Sequence, residues 1–123
     1  MRAMTTTTDP DDVSAIIGAF ETQLGSRAIP FAMIARFRVT EDSQARVEQA
    51  FEKAVPPTLR EPGVLAYQPH RDPTDTASFV VYERWKSLDD LEAHLRASYI
   101  AELRRKIDAL ITGAPEFNLL RPL

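Results

Sequence analysis

Two extended segments, Val64–His70 and Ser78–Trp85, carry apolar side chains at both odd and even positions. Side chains of a strand alternate between its two faces. Phe79 and Val81 therefore point one way and Val80 and Tyr82 the other; Leu65 and Tyr67 likewise oppose Val64 and Ala66. A third segment, Phe31–Val39, has Phe31, Met33, Ala35, Phe37 and Val39 on one face, while its other face begins apolar at Ala32 and Ile34 and turns basic at Arg36 and Arg38. Strands of this kind need cover on both faces, and that requirement limits the architectures open to the chain.

Between these strands lie helical patterns. Val47, Ala50, Phe51 and Ala54 recur at helical spacing after a start at Asp42 or Ser43. Pro56-Pro57 is expected to end or kink this helix, since a proline lacks the donor the helix needs. Glu61-Pro62-Gly63 reads as a turn, and Arg71–Ala77 as a hairpin loop rich in Asp, Pro and Thr. Ser87, with Asp90 three residues on, makes a variant capping box. Leu88, Leu91 and Leu95 then form a stripe with His94 beside it, and Ile100, Leu103, Ile107 and Leu110 continue the pattern after a restart at Ser98. Glu116–Leu123 reads as a last strand, with Pro122 limiting it to an edge or an end.

The order β-α-β-β-α-β is the ferredoxin-like pattern of the α+β class, a four-stranded antiparallel sheet with helices on one face. One helix layer covers one face only. The other face would leave an apolar patch larger than soluble monomers usually carry, so a second copy related by a twofold axis is the expected cover, giving a homodimer. Ahead of this domain, residues 1–30 form an extension. Met1–Thr8 is polar and expected to be disordered. Asp9-Pro10 opens an amphipathic helix through Val13, Ile16, Ile17, Phe20 and Leu24, which Gly25 closes.

Composition narrows the function. The net charge is −3 and no basic stripe appears, which argues against nucleic acid as a partner. Arg104, Arg105 and Lys106 read as a solvated helix face. The chain has no cysteine and two histidines far apart, so thiolate chemistry, disulfides and a metal centre are not expected. No apolar run reaches the ~20 residues needed to span a bilayer, and the N-terminus lacks the apolar core of a secretory signal; a cytoplasmic location is expected.

The residues able to carry chemistry gather between Tyr67 and His94. His94 is a potential base. Trp85, the only tryptophan, reads either as a stacking wall for an aromatic ligand or as a core anchor. Glu83 shares its strand face with Trp85, and is either a pocket carboxyl of raised pKa or the partner of Arg36 or Arg84. Tyr67 and Tyr82 read as lining the pocket or the dimer face. His70 is expected at the surface.

The segments VPPTLREPGVLAYQPH, FVVYERWKS and LDDLEAHLRAS, in that order, resemble the antibiotic biosynthesis monooxygenase (ABM) domain, and are especially similar to small bacterial quinol monooxygenases. Glu61–Gly63, Tyr67, Glu83–Trp85 and Glu92–Leu95 carry the resemblance, which runs from about Phe31 to Leu123. It implies a dimeric α+β barrel that oxidises a quinol or an aromatic, polyketide-like phenol with O2 and without flavin, haem or metal. In that reading His94 is the catalytic base or orienting donor, with Trp85, Glu83, Tyr67 and Tyr82 as substrate contacts. Relatives often carry a Pro-His-aromatic triplet where this chain has Ala97-Ser98-Tyr99. Haem-degrading relatives use an Asn on the first strand, and Phe31–Val39 has none, which sets haem degradation aside. The missing second His and the extra helix also fit another class of protein, a non-catalytic dimeric barrel that binds a small hydrophobic ligand.

Overall fold

A computed structural model describes residues 10–123, with side chains from Asp12 onward. Met1–Thr8 and the proposed cap Asp9 lie outside these residues. The elements run α1 (Pro10–Leu24), β1 (Phe31–Arg38), α2 (Gln44–Leu59), β2 (Val64–Asp72), β3 (Asp75–Trp85), α3 (Leu88–Arg96), α4 (Ser98–Leu110) and β4 (Glu116–Leu120). The four strands form one antiparallel sheet in the order β2-β3-β1-β4, the ferredoxin-like arrangement that the order of periodicities predicts.

The register shows which side chains share a face. Leu119, Met33, Glu83 and Tyr67 stand in one row across all four strands; Asn118, Ile34, Tyr82 and Gln68 stand in the next. Alternation places these rows on opposite faces. Phe31, Met33, Ala35, Phe37, Phe79, Val81 and Trp85 are buried under the helices and form the core with Val47, Phe51, Leu88, Leu91 and Ile100. On the opposite face Ala32, Ile34, Ala66, Val80 and Tyr82 are half-buried, and Arg36, Arg38, Arg84 and His70 are exposed.

The stripe of α1 packs on its own chain. Val13, Ile16, Ile17, Phe20 and Leu24 are all buried, and Phe20 meets Phe117 of β4 edge-on, with ring centroids 5.9 Å apart. Gly25 ends the helix at φ 79°, a left-handed turn that favours glycine. Polar links fix α1 and its exit to α3: Arg96 donates to Ser14 Oγ at 3.0 Å, and Arg27 pairs with Glu21, Asp89 and Glu92.

Three local expectations are corrected. The α2 helix does not stop at Pro56-Pro57 but continues to Leu59. Each proline removes one N–H, but both sit in the last turn with only Thr58 and Leu59 to follow, and Thr58 Oγ1 donates to the Ala54 carbonyl at 2.8 Å. Neither Asp42 nor Ser43 caps α2 through its side chain: Glu41–Ser43 is a 3-10 turn, and the Ser43 hydroxyl is shared with that of Thr40. The loop expected over Arg71–Ala77 shrinks to a turn at Pro73-Thr74, because Asp72 Oδ1 accepts from both the backbone and the hydroxyl of Thr74 (2.9 and 2.8 Å). Both strands of the hairpin lengthen accordingly.

Candidate functional site

The site sits where the turn before β2 meets the end of α3. Ser87 caps α3: its Oγ accepts from the Asp90 N–H at 3.2 Å and donates to Asp90 Oδ2 at 2.8 Å. That cap sets the phase of the helix, so that Leu88, Leu91 and His94 all turn inward. Gly63 lies against the same cap. A Cβ there would stand 2.1 Å from Asp90 Cγ and 2.3 Å from Asp90 Cβ, so only glycine lets the turn approach the helix this closely. The approach brings Glu61 to His94.

His94 is 3% exposed. Its Nδ1 lies 3.0 and 3.2 Å from the two carboxylate oxygens of Glu61. With Nδ1–H donated to a carboxylate, Nε2 is the nitrogen available as an acceptor. Tyr99, at the start of α4, donates its hydroxyl to Glu61 Oε2, the nearer of the two oxygens to His94. Burial first, and then Glu61, pushes the Tyr99 phenol up to about 12. The break between α3 and α4 at Ala97, which is extended, is what swings Tyr99 into reach.

Two aromatic rings hold the imidazole, Trp85 at 4.6 Å and Tyr67 at 5.2 Å between centroids. The Trp85 Nε1–H donates to Glu83 Oε1 at 2.9 Å. Burial raises the Glu83 carboxyl above its usual range, against the pull of His94 and of this hydrogen bond. Burial and the carboxyls of Glu83 and Glu61 push the Tyr67 phenol well above its usual value.

Glu83, His94 and Tyr67 line one end of a cavity of about 140 Å³ between sheet and helices. The rest of its wall is mostly apolar, with Met33, Phe51 and Leu103 from the domain and Ile16 and Phe20 from α1. Arg104 also reaches this wall. It pairs with Asp12 at 3.1 Å, the two side chains being 14% and 7% exposed. Burial lowers its pKa despite Asp12, and its Nη1 has no hydrogen-bond partner among the described residues. The reading of Arg104 as part of a solvated face is therefore corrected: only Arg105 and Lys106, paired with Glu102, keep to that surface. A wider hollow of about 460 Å³ beside α2 and β2 lies away from these groups.

The structure thus brings together three of the five residues expected from sequence. His94, Glu83 and Tyr67 share the cavity. Trp85 is fully buried behind it, against Glu83 and His94, and does not line it. Tyr82 points to the opposite face, in the row of Ile34 and Gln68. The ion pairs considered for Glu83 with Arg36 or Arg84 do not form, since both arginines alternate to the far face. Glu61 and Tyr99 belong to the site although sequence reasoning does not select them. A signal for Glu61 exists in the hairpin: pairing Val64 with Trp85 sets the turn before Val64 beside the start of the following helix.

The fold and this cavity define a ferredoxin-like α+β domain with a carboxylate-braced histidine under its sheet. A model of the antibiotic biosynthesis monooxygenase family matches residues 30–106, and the chain belongs to that family. It is 27% identical over 94 residues to a Mycobacterium tuberculosis protein named "Putative monooxygenase Rv0793", an alignment covering 76% of this chain and 92% of that one. The solved structure of Rv0793 superposes with a TM-score of 0.71 at 26% identity, covering 76% and 95% of the two chains. PA3566 from Pseudomonas aeruginosa gives 0.71 at 25% identity, over 80% and 99%. A Nitrosomonas europaea structure at 19% identity shares the fold, with a TM-score of 0.74 over 80% and 94%. Among the described residues, no helix is long and apolar enough to cross a membrane.

Proposed function

We propose that the protein is a cofactor-independent monooxygenase that oxidises a quinol or an aromatic phenol with O2. The observation that carries this reading is a buried histidine, fixed at Nδ1 by Glu61, in the wall of a largely apolar cavity of about 140 Å³. His94 Nε2 takes the phenolic proton, because a phenolate gives an electron to O2 far more readily than a phenol does. Glu61 stabilises the imidazolium that results and keeps the ring in the productive tautomer. The apolar wall excludes water from the reacting anion. One oxygen atom of O2 is bonded to a ring carbon and the other leaves as water. In the simplest case one molecule of phenol and one of O2 give one of benzoquinone and one of water. The two hydrogens of that water come from the phenolic hydroxyl and from the ring carbon that gains oxygen. The ring supplies all the electrons, so the balance needs no further reductant.

Glu83 and Tyr67 are polar groups of the wall beside His94, with Trp85 positioning Glu83 and His94 from behind. The half-buried outer row of Ala32, Ile34, Val80 and Tyr82 supports a second copy of the chain as the cover for that face. Oxygen consumption by the chelator-treated protein with a panel of hydroquinones and phenols tests the activity. Uptake that falls in His94→Ala supports it; no uptake with any member of the panel sinks it, and anaerobic binding without turnover would favour a non-catalytic barrel.

A further inference from the structure

The helix α1 lies outside the family segment, which begins at residue 30, yet it builds part of the cavity wall through Ile16 and Phe20. The remaining walls are strands joined by hydrogen-bonded ladders and helices buried against them. By contrast α1 joins no ladder: its apolar stripe, the Asp12–Arg104 and Glu21–Arg27 pairs, the Ser14–Arg96 bond and a bond from Arg121 to the Leu24 carbonyl hold it. It lies outside the family segment and takes no part in the sheet. Size makes this consequential. Apolar cavities of ~150 Å³ take up benzene, and this one is about 140 Å³. One ring fills it.

We propose that α1 sets the substrate's size, so that the docked helix admits a single-ring hydroquinone or phenol, and a fused two-ring compound enters only when Phe20 and Ile16 draw back. This rests on the reading of the cavity as a quinol or phenol site and narrows its substrate class. Asp12 is the latch. Its pairing with Arg104 fixes the first turn of α1 over α4, in a place where neither group is well solvated.

Calorimetric binding under anaerobic conditions, with 1,4-hydroquinone and 1,4-naphthohydroquinone, tests the proposal without requiring turnover. Wild type is expected to bind the single ring at least tenfold more tightly than the fused pair. Phe20→Ala narrows that ratio at least tenfold by admitting the second ring. Asp12→Asn, which leaves the wall intact, tightens binding of the two-ring compound several-fold and leaves that of the one-ring compound unchanged. If Phe20→Ala does not fold, Ile16→Val trims the same wall by one methyl and narrows the ratio about threefold. A wild type that binds both compounds equally, or a ratio unmoved in the wall variants, overturns the role of α1 and leaves the oxygenase reading standing. Size-selective binding without oxygen uptake overturns catalysis and leaves the role of α1 standing. No binding of either compound by wild type overturns both.

Discussion

His94 and Glu61 lie 33 positions apart in the chain, and Nδ1 of the first is within 3.2 Å of both carboxylate oxygens of the second. The contact joins a turn to a helix end, and it leaves Nε2 as the imidazole nitrogen available as an acceptor. Glu61→Gln keeps the shape and removes the charge that stabilises the imidazolium. The variant is expected to bind a hydroquinone as wild type does and to lose a large part of the ~10²–10⁴-fold that a positioned base contributes. Steady-state oxygen uptake, read as kcat against KM, checks this: the loss falls in kcat.

Glu83 gives a pH signature. Its carboxyl is buried and raised above the usual value of 4.5, so the folded state prefers it protonated. Its contribution to stability is complete below about 4.5 and is lost as pH rises through the raised value. Glu83→Gln keeps an acceptor for the Trp85 N–H and has no charge to bury. Melting temperatures of the two proteins from pH 4 to pH 8 are expected to diverge in favour of the variant as pH rises; a constant difference would contradict the assignment.

Gly63 holds the site together without entering it. A methyl at this position meets Asp90 Cβ at 2.3 Å, an atom that rotation cannot move away. Gly63→Ala must push the turn and α3 apart, at a cost of about 1–3 kcal/mol by the usual scale of overpacking. Denaturant unfolding measures that loss. Activity falls further than stability predicts, since the displacement separates Glu61 from His94.

The outer sheet face makes a separate prediction. Val80 and Tyr82 are half-buried there and touch neither the cavity nor its charged groups. If the proposed second copy covers this face, Val80→Asp is expected to be monomeric in sedimentation equilibrium at micromolar concentration, with its circular dichroism unchanged. Wild type sedimenting at the mass of one chain would contradict the dimer.

Much of this architecture is legible from alternation alone. The two-residue period of Phe31–Arg38 and Phe79–Trp85 sorts their side chains onto faces; that Tyr67 and Tyr82 face opposite ways needs the register between β2 and β3, which the period does not give. What alternation does not carry is reach. Glu61 stays hidden because its partner is distant in sequence, and a Glu-Pro-Gly turn announces a bend rather than a contact. Arg104 reads as solvated because its helix neighbours Arg105 and Lys106 are; its burial depends on Asp12, which arrives on a helix outside the domain. Trp85 shares a strand face with Glu83 but sits one row deeper, at the strand end, where α3 covers it.

Oxygen consumption with 1,4-hydroquinone tests the proposed oxidation most directly, with wild type compared against His94→Ala after both are checked for fold. Uptake by wild type is expected, with one labelled atom from 18O2 incorporated into the product. The variant is expected to fall by about 10²–10⁴-fold in kcat. Equal rates in the two proteins, or a product free of label, would contradict a histidine-dependent oxygenase.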